Sequence, residues 1–97
     1  MDFEFEFGEL LKASLRETGT QLQTSLAEVT LYASERAAFL STLVGQKGFH
    51  EAVIAERDNV ALRAGIRVVQ NADAHDARIV GIIQGALAIG AKALATA

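Results

Sequence analysis

The 97-residue chain has no cysteine, no proline and no tryptophan. Without cysteine there is no disulfide framework, no thiolate zinc site and no thiol catalysis. Without proline, and with 18 alanines, long helices are favoured over a turn-rich β protein. Charge of one sign is scarce as well: the formal net charge is −3, which gives no electrostatic reason to expect nucleic acid as a partner. Long hydrophobic runs are missing too. The longest nearly charge-free stretch, Ile79 to Ala91, has thirteen residues, whereas a bilayer span needs about 20. Membrane association is therefore not expected. The acidic opening, Asp2-Phe3-Glu4-Phe5-Glu6-Phe7, is unlike a secretion signal, so the default expectation is a cytoplasmic protein.

What is present is apolar and periodic. Half of the residues, 51%, are hydrophobic, enough for one modest core and a single domain. In the first half, Phe7, Leu11, Leu15, Leu22, Leu26, Val29, Ala33, Leu40 and Leu43 recur at helical spacing and share one face. Asp2 is placed to cap this helix, and Glu4, Glu6 and Glu9 suit its positive end. Gly8 is the expected place for a break. In a competing reading, Phe3, Phe5 and Phe7 alternate with acids as a short strand or exchanged arm. The second half gives a matching stripe through Ile54, Ala61, Gly65, Val68, Ala72, Ile79, Ile83, Ala86, Gly90 and Leu94. The only loop signal near the middle is Gly45-Gln46-Lys47-Gly48.

These patterns predict an all-α fold: a long antiparallel helical hairpin assembling into a helical bundle. Arm one covers about 2–45, the turn about 45–49 and arm two about 50–95. Arm two is read as one helix, with a kink or split near Asn71–Asp73 as the alternative. Each arm would be about 60 Å long at 1.5 Å per residue. Folding at Gln46-Lys47 pairs residues whose numbers add to about 94. Apolar then meets apolar, Arg36 meets Asp58, Thr18 meets the His75–Asp76 pair, and bulky Phe3 and Phe7 meet Gly85, Ala86, Gly90 and Ala91.

Arm two is more apolar than such a hairpin needs. Val60, Leu62, Ile66, Val69, Val80, Ile82 and Ile89 flank its inner stripe, and exposing them would forfeit about 1.5–3 kcal/mol each. A second chain is expected to cover them, so these residues form the expected oligomer interface. The expected partner is the chain itself, with a dimer favoured, or another helical protein.

The polar interruptions are read as register-fixing layers, Arg36 with Asp58 and Thr18 with His75 and Asp76. A metal held by His75, Asp76 and Glu17 across an interface is a weak second reading. Neither histidine has the glutamate three residues earlier that ferritin-like di-metal sites use, so no metal or cofactor is expected. Ser14, Ser25, Ser34 and Ser41 fall in helical pattern without a nucleophile turn, and the central glycines lack the Gly-Lys-Ser/Thr of a phosphate loop. No catalytic residue and no enzyme activity are expected. Arg63 and Arg67, one turn apart, suit a phosphate contact or, for Arg67, an ion pair with Glu28.

In plan, two long helices around a glycine turn resemble the small secreted hairpin proteins whose turn carries Trp-x-Gly. Here the turn reads Val44-Gly45-Gln46-Lys47-Gly48-Phe49, so no family is claimed and no residue role is transferred. The expected function is a non-enzymatic, self-associating structural or interaction module. A secreted helical-hairpin effector or adaptor, and a bundle protein with a carboxylate/histidine metal site at a subunit interface, are the alternatives.

Overall fold

A computed structural model of the chain describes residues 2–66 and 74–96. Among the described residues there are four helices and no strand: α1 (Phe3–Thr18), α2 (Leu26–Ser41), α3 (Phe49–Ala64) and α4 (Ala74–Ala95). Asp2 caps α1, its Oδ1 accepting the Glu4 N–H at 3.0 Å. All three N-terminal phenylalanines are helical, which overturns the strand reading, and the Phe3 ring lies on Gly90 of its own chain. The helix also runs through Gly8 instead of breaking there. That glycine marks a close approach of α2, since a Cβ on it would sit 3.2 Å from Thr30 Cγ2.

The first arm is not one helix. Gly19 adopts a left-handed conformation (φ 73°) and its N–H bonds back to the Leu15 carbonyl at 2.9 Å, the single-bond ending typical of a glycine stop. α2 then starts from Ser25, whose Oγ accepts the Glu28 N–H at 3.2 Å. A Ser-x-x-Glu start of this kind is a known helix signal. The apolar stripe continues across the gap because Leu22 still packs against the core, so periodicity alone hides the break.

The second arm is split as well. α3 ends in a Schellman motif: Ile66 N–H bonds to the Ala61 carbonyl at 2.8 Å and Gly65 N–H to that of Leu62 at 3.0 Å, with Gly65 at φ 82°. This stop precedes the expected kink at Asn71–Asp73, which lies outside the described residues. The two breaks sit against each other. Gln23 N–H bonds to the Ala64 carbonyl at 3.1 Å, Thr24 Oγ1 donates to that of Arg63 at 2.6 Å, and Gln23 occupies the space a Gly65 side chain would need.

The expected hairpin is thus folded in half. α2 and α4 form the most extensive helix pair; α1 and α3 each pack on both and not on one another. The molecule measures 35 × 28 × 18 Å, which leaves no room for arms of about 60 Å. Several cross-arm contacts nonetheless fall near the expected register: the Phe3 ring lies on Gly90, Arg78 pairs with Glu17, and Arg63 lies over Tyr32. Phe7, Leu11, Leu40, Ile79, Ile83 and Leu87 are the largest fully buried side chains.

The residues expected at an oligomer interface fall in different places on the folded chain. Val60, Ile66 and Val80 are buried by the chain's own helices, because a third and fourth helix are available that a two-helix hairpin lacks. Leu62 and Ile89 are exposed, at 70% and 72%, and Ile82 is half-buried. Val69 lies outside the described residues.

Candidate interaction surface

The polar groups divide into one inward clamp and several surface pairs. Arg36 on α2 engages Glu56 on α3 through both carboxylate oxygens, Nη2 reaching Oε1 at 2.7 Å and Nε reaching Oε2. Glu56 is buried and its side chain only 10% exposed, against 30% for Arg36. The guanidinium also lies over Phe39, 4.7 Å from the ring centroid, a favourable cation–π position. Hydrogen bonding to Glu56 raises the Arg36 pKa further above its ordinary value, so the cation is fixed. Its partner is not the expected Asp58. Asp58 lies half a helical turn away in sequence and pairs with its neighbour Arg57 at 2.7 Å. Arg57 in turn donates to Gln84 Oε1 on α4 at 2.9 Å.

The second expected layer does not assemble as a layer. Thr18 Oγ1 donates to the Ser14 carbonyl at 2.8 Å and meets Thr20 Oγ1 at 3.1 Å; both contacts help close α1. His75 is exposed and Asp76 half-buried in the first turn of α4. Glu17 carries Arg78 instead, with oxygens at 2.8 and 2.9 Å. No group of three His, Asp or Glu suited to a metal occurs among the described residues; His75, Asp76 and Glu17 are not gathered into a ligand set. Of the helical serines, Ser25 is a cap, Ser41 donates to the Ala38 carbonyl at 2.6 Å, and Ser14 is buried with no partner for its hydroxyl. Arg63 stacks on Tyr32 at 4.5 Å in a shallow cleft with Glu28, Leu31 and Glu35, a surface clamp with acids beside it. Arg67 is outside the described residues.

Among the described residues seven large apolar side chains are exposed, Phe5, Leu10, Leu31, Phe39, Leu62, Ile89 and Leu94, and two of them, Leu10 and Ile89, come together where α1 meets α4. Phe3, Phe7, Leu10, Ala86 and Ile89, with Glu6 at the rim, line a groove of about 110 Å³. Ile89 is 72% and Leu10 48% exposed, although each stands beside a core residue in sequence. Side chains on α4 explain the shape. Ile79, Val80, Ile83, Ala86, Leu87, Gly90 and Ala91 form the buried face. Arg78, Ile82, Gly85, Ile89 and Lys92 recur at alternating spacings of four and three on the other side. That is the heptad spacing of a helix seam. Gly85 is exposed, and nothing lies within 4 Å of where its Cβ would stand.

Leu10 was absent from the expected interface, and so was any role for Glu56. Leu10 belongs to a second run on α1, Phe3, Glu6, Leu10, Ala13 and Glu17, visible once both faces of the helix are traced. Glu56 needed a shift of half a turn in the pairing of α2 with α3, finer than any pairing by residue number. The length of α4 also matters. The helix has 22 residues, and an 18-residue window within it reaches a mean hydropathy of 1.4, so it is long and apolar enough to cross a bilayer by length and composition. The thirteen-residue count stopped at the flanking charges and missed this. In the fold, α4, like α2, touches the other three helices, a role that also calls for an apolar sequence. No protein-family model, curated protein or solved structure matches the chain.

Proposed function

We propose that this chain is a non-enzymatic helical interaction module that associates with a second copy of itself through the outer face of α1 and α4. The observation that carries this reading is the exposure of Ile89 and Leu10 beside the Phe3–Phe7 groove. Single exposed apolar side chains are ordinary, whereas clustered ones mark association surfaces. The clefts elsewhere do not suggest chemistry. One of about 440 Å³ between α1 and α2 is open and lined by Asp2, Glu4, Phe5, Glu9 and Lys12 among others, the acids being those that suit the start of α1.

Sedimentation equilibrium of the purified protein tests the reading. A species of twice the 10.3 kDa protomer mass that dissociates on dilution is expected, and Ile89→Glu should make it monomeric. A wild-type chain that stays monomeric at millimolar concentration contradicts it.

A further inference from the structure

The contacts inside the bundle fall into two sets. One set joins the two arms: Phe3 on Gly90, Glu17 with Arg78, Tyr32 with Arg63 and Arg36 with Glu56. In each pair the residue numbers add to between 92 and 95, on both sides of the helix stops, so straightening both arms would leave all four in place. The other set exists only because the arms fold back. It holds α1 on α2, as at Gly8 and Thr30, and α3 on α4, as at Arg57 and Gln84. Along a straight arm Gly8 and Thr30 would stand about 33 Å apart at 1.5 Å per residue, so only another chain could restore that contact.

We infer that the chain is poised to open at Gly19 and Gly65 and exchange halves with a second copy, the α1–α4 half of each packing on the α2–α3 half of the other. The occupant is specified, because each half on opening offers the surface that its own other half covered. The straight arms suit a helix: Thr20 to Ser25 contain no glycine or proline, and the apolar stripe runs on at Leu22 and, in the sequence of arm two, at Val68 and Ala72. The glycines hold the balance. At φ 73° and 82° they take a conformation that strains any side chain, and at Gly65 a Cβ would also lie 2.7–2.8 Å from the Gln23 side chain. With both glycines in place the closed monomer prevails, since its halves are tethered in one chain. The exchange uses inner faces and stands apart from the outer-face association.

The test carries Ile89→Glu in every chain, which silences the outer face. Size-exclusion chromatography with light scattering should show Ile89→Glu alone as a 10.3 kDa monomer. Adding Gly65→Ala should tighten dimerisation by more than about tenfold, with helicity undiminished by circular dichroism. Gly19→Ala, where a Cβ meets nothing within 4 Å, should act in the same direction and less strongly. The chain has no cysteine, so exchange can be read directly. A Cβ at Gly8 would stand 4.0 Å from that of Thr30, within disulfide reach. A Gly8→Cys chain co-refolded with a Thr30→Cys chain, both carrying Gly65→Ala, should give the mixed disulfide on oxidation, in a yield several-fold lower without Gly65→Ala. If Gly65→Ala loses helicity, Gly19→Ala decides by the same two readings. A folded monomer at millimolar concentration, a dimer without the mixed disulfide, or helicity lost in both variants overturns the exchange. None of these results bears on the outer face, which the wild-type sedimentation tests separately.

Discussion

Leu87 and Ile89 lie two residues apart on α4, yet Leu87 is fully buried and Ile89 is 72% exposed. Around Leu87, the inner face of the helix meets α1, α2 and α3 and is filled by Ile79, Ile83 and Gly90. Around Ile89, the outer face alternates large side chains with an open glycine. The inner face is wholly apolar, whereas the outer one sets Ile82 and Ile89 between Arg78 and Lys92; for the two isoleucines the chain has no helix left to serve as a full cover. The inner face holds the monomer together, and on the proposed reading the outer one is reserved for a second copy.

Substitutions that separate the two faces test this contrast. Leu87→Ala should cost the monomer about 2–5 kcal/mol in chemical denaturation, the price of a core cavity. Arg36→Ala should cost about 2–3 kcal/mol, because the nearly buried Glu56 carboxylate loses its bidentate partner. Gly90→Val should cost about 1–3 kcal/mol by overpacking, since any side chain there overlaps the Phe3 ring. An unchanged melting temperature for Gly90→Val would remove α1 from its place on α4. Asp58→Ala should change stability by less than about 1 kcal/mol, as Asp58 is half-buried and its only described ion pair, with its sequence neighbour Arg57, closes no contact between helices. Ile89→Glu should leave monomer stability within about 0.5 kcal/mol and act on association alone. A large stability loss from Ile89→Glu would mean that the two faces are not separate.

The helical class, the caps at Asp2 and the central reversal were legible in the sequence because each rests on local chemistry. So was the excess of apolar residues on arm two. Their destination was not legible, because the breaks that fold the arms were masked by stripes running through them. The signals existed: Thr18-Gly19 with Ser25-x-x-Glu28, and Ala64-Gly65 at the end of α3. Each is a recognised stop or start, but a stripe of correct period outweighed them. Glycine was read as a packing residue at Gly65, whereas its φ of 82° makes it a terminator. The Arg36 clamp shows the other limit. That a charge in the middle of an apolar stripe needs a partner follows from burial, but choosing Glu56 over Asp58 requires the rotation of α3, which numbering does not carry. At the proposed surface, Ile82 and Ile89 were readable as flanking residues, while Leu10 emerged only when α1 was set beside α4.

The central claim is that the chain covers most of its own apolar excess by folding both arms back at Gly19 and Gly65. Small-angle X-ray scattering of the Ile89→Glu variant, which removes any contribution from association, tests it most directly. The folded-back bundle predicts a radius of gyration close to the 12.6 Å of its Cα trace, slightly enlarged by hydration. A radius of about 17 Å, as for a rod about 60 Å long, would mean that the arms stay extended and would contradict the account.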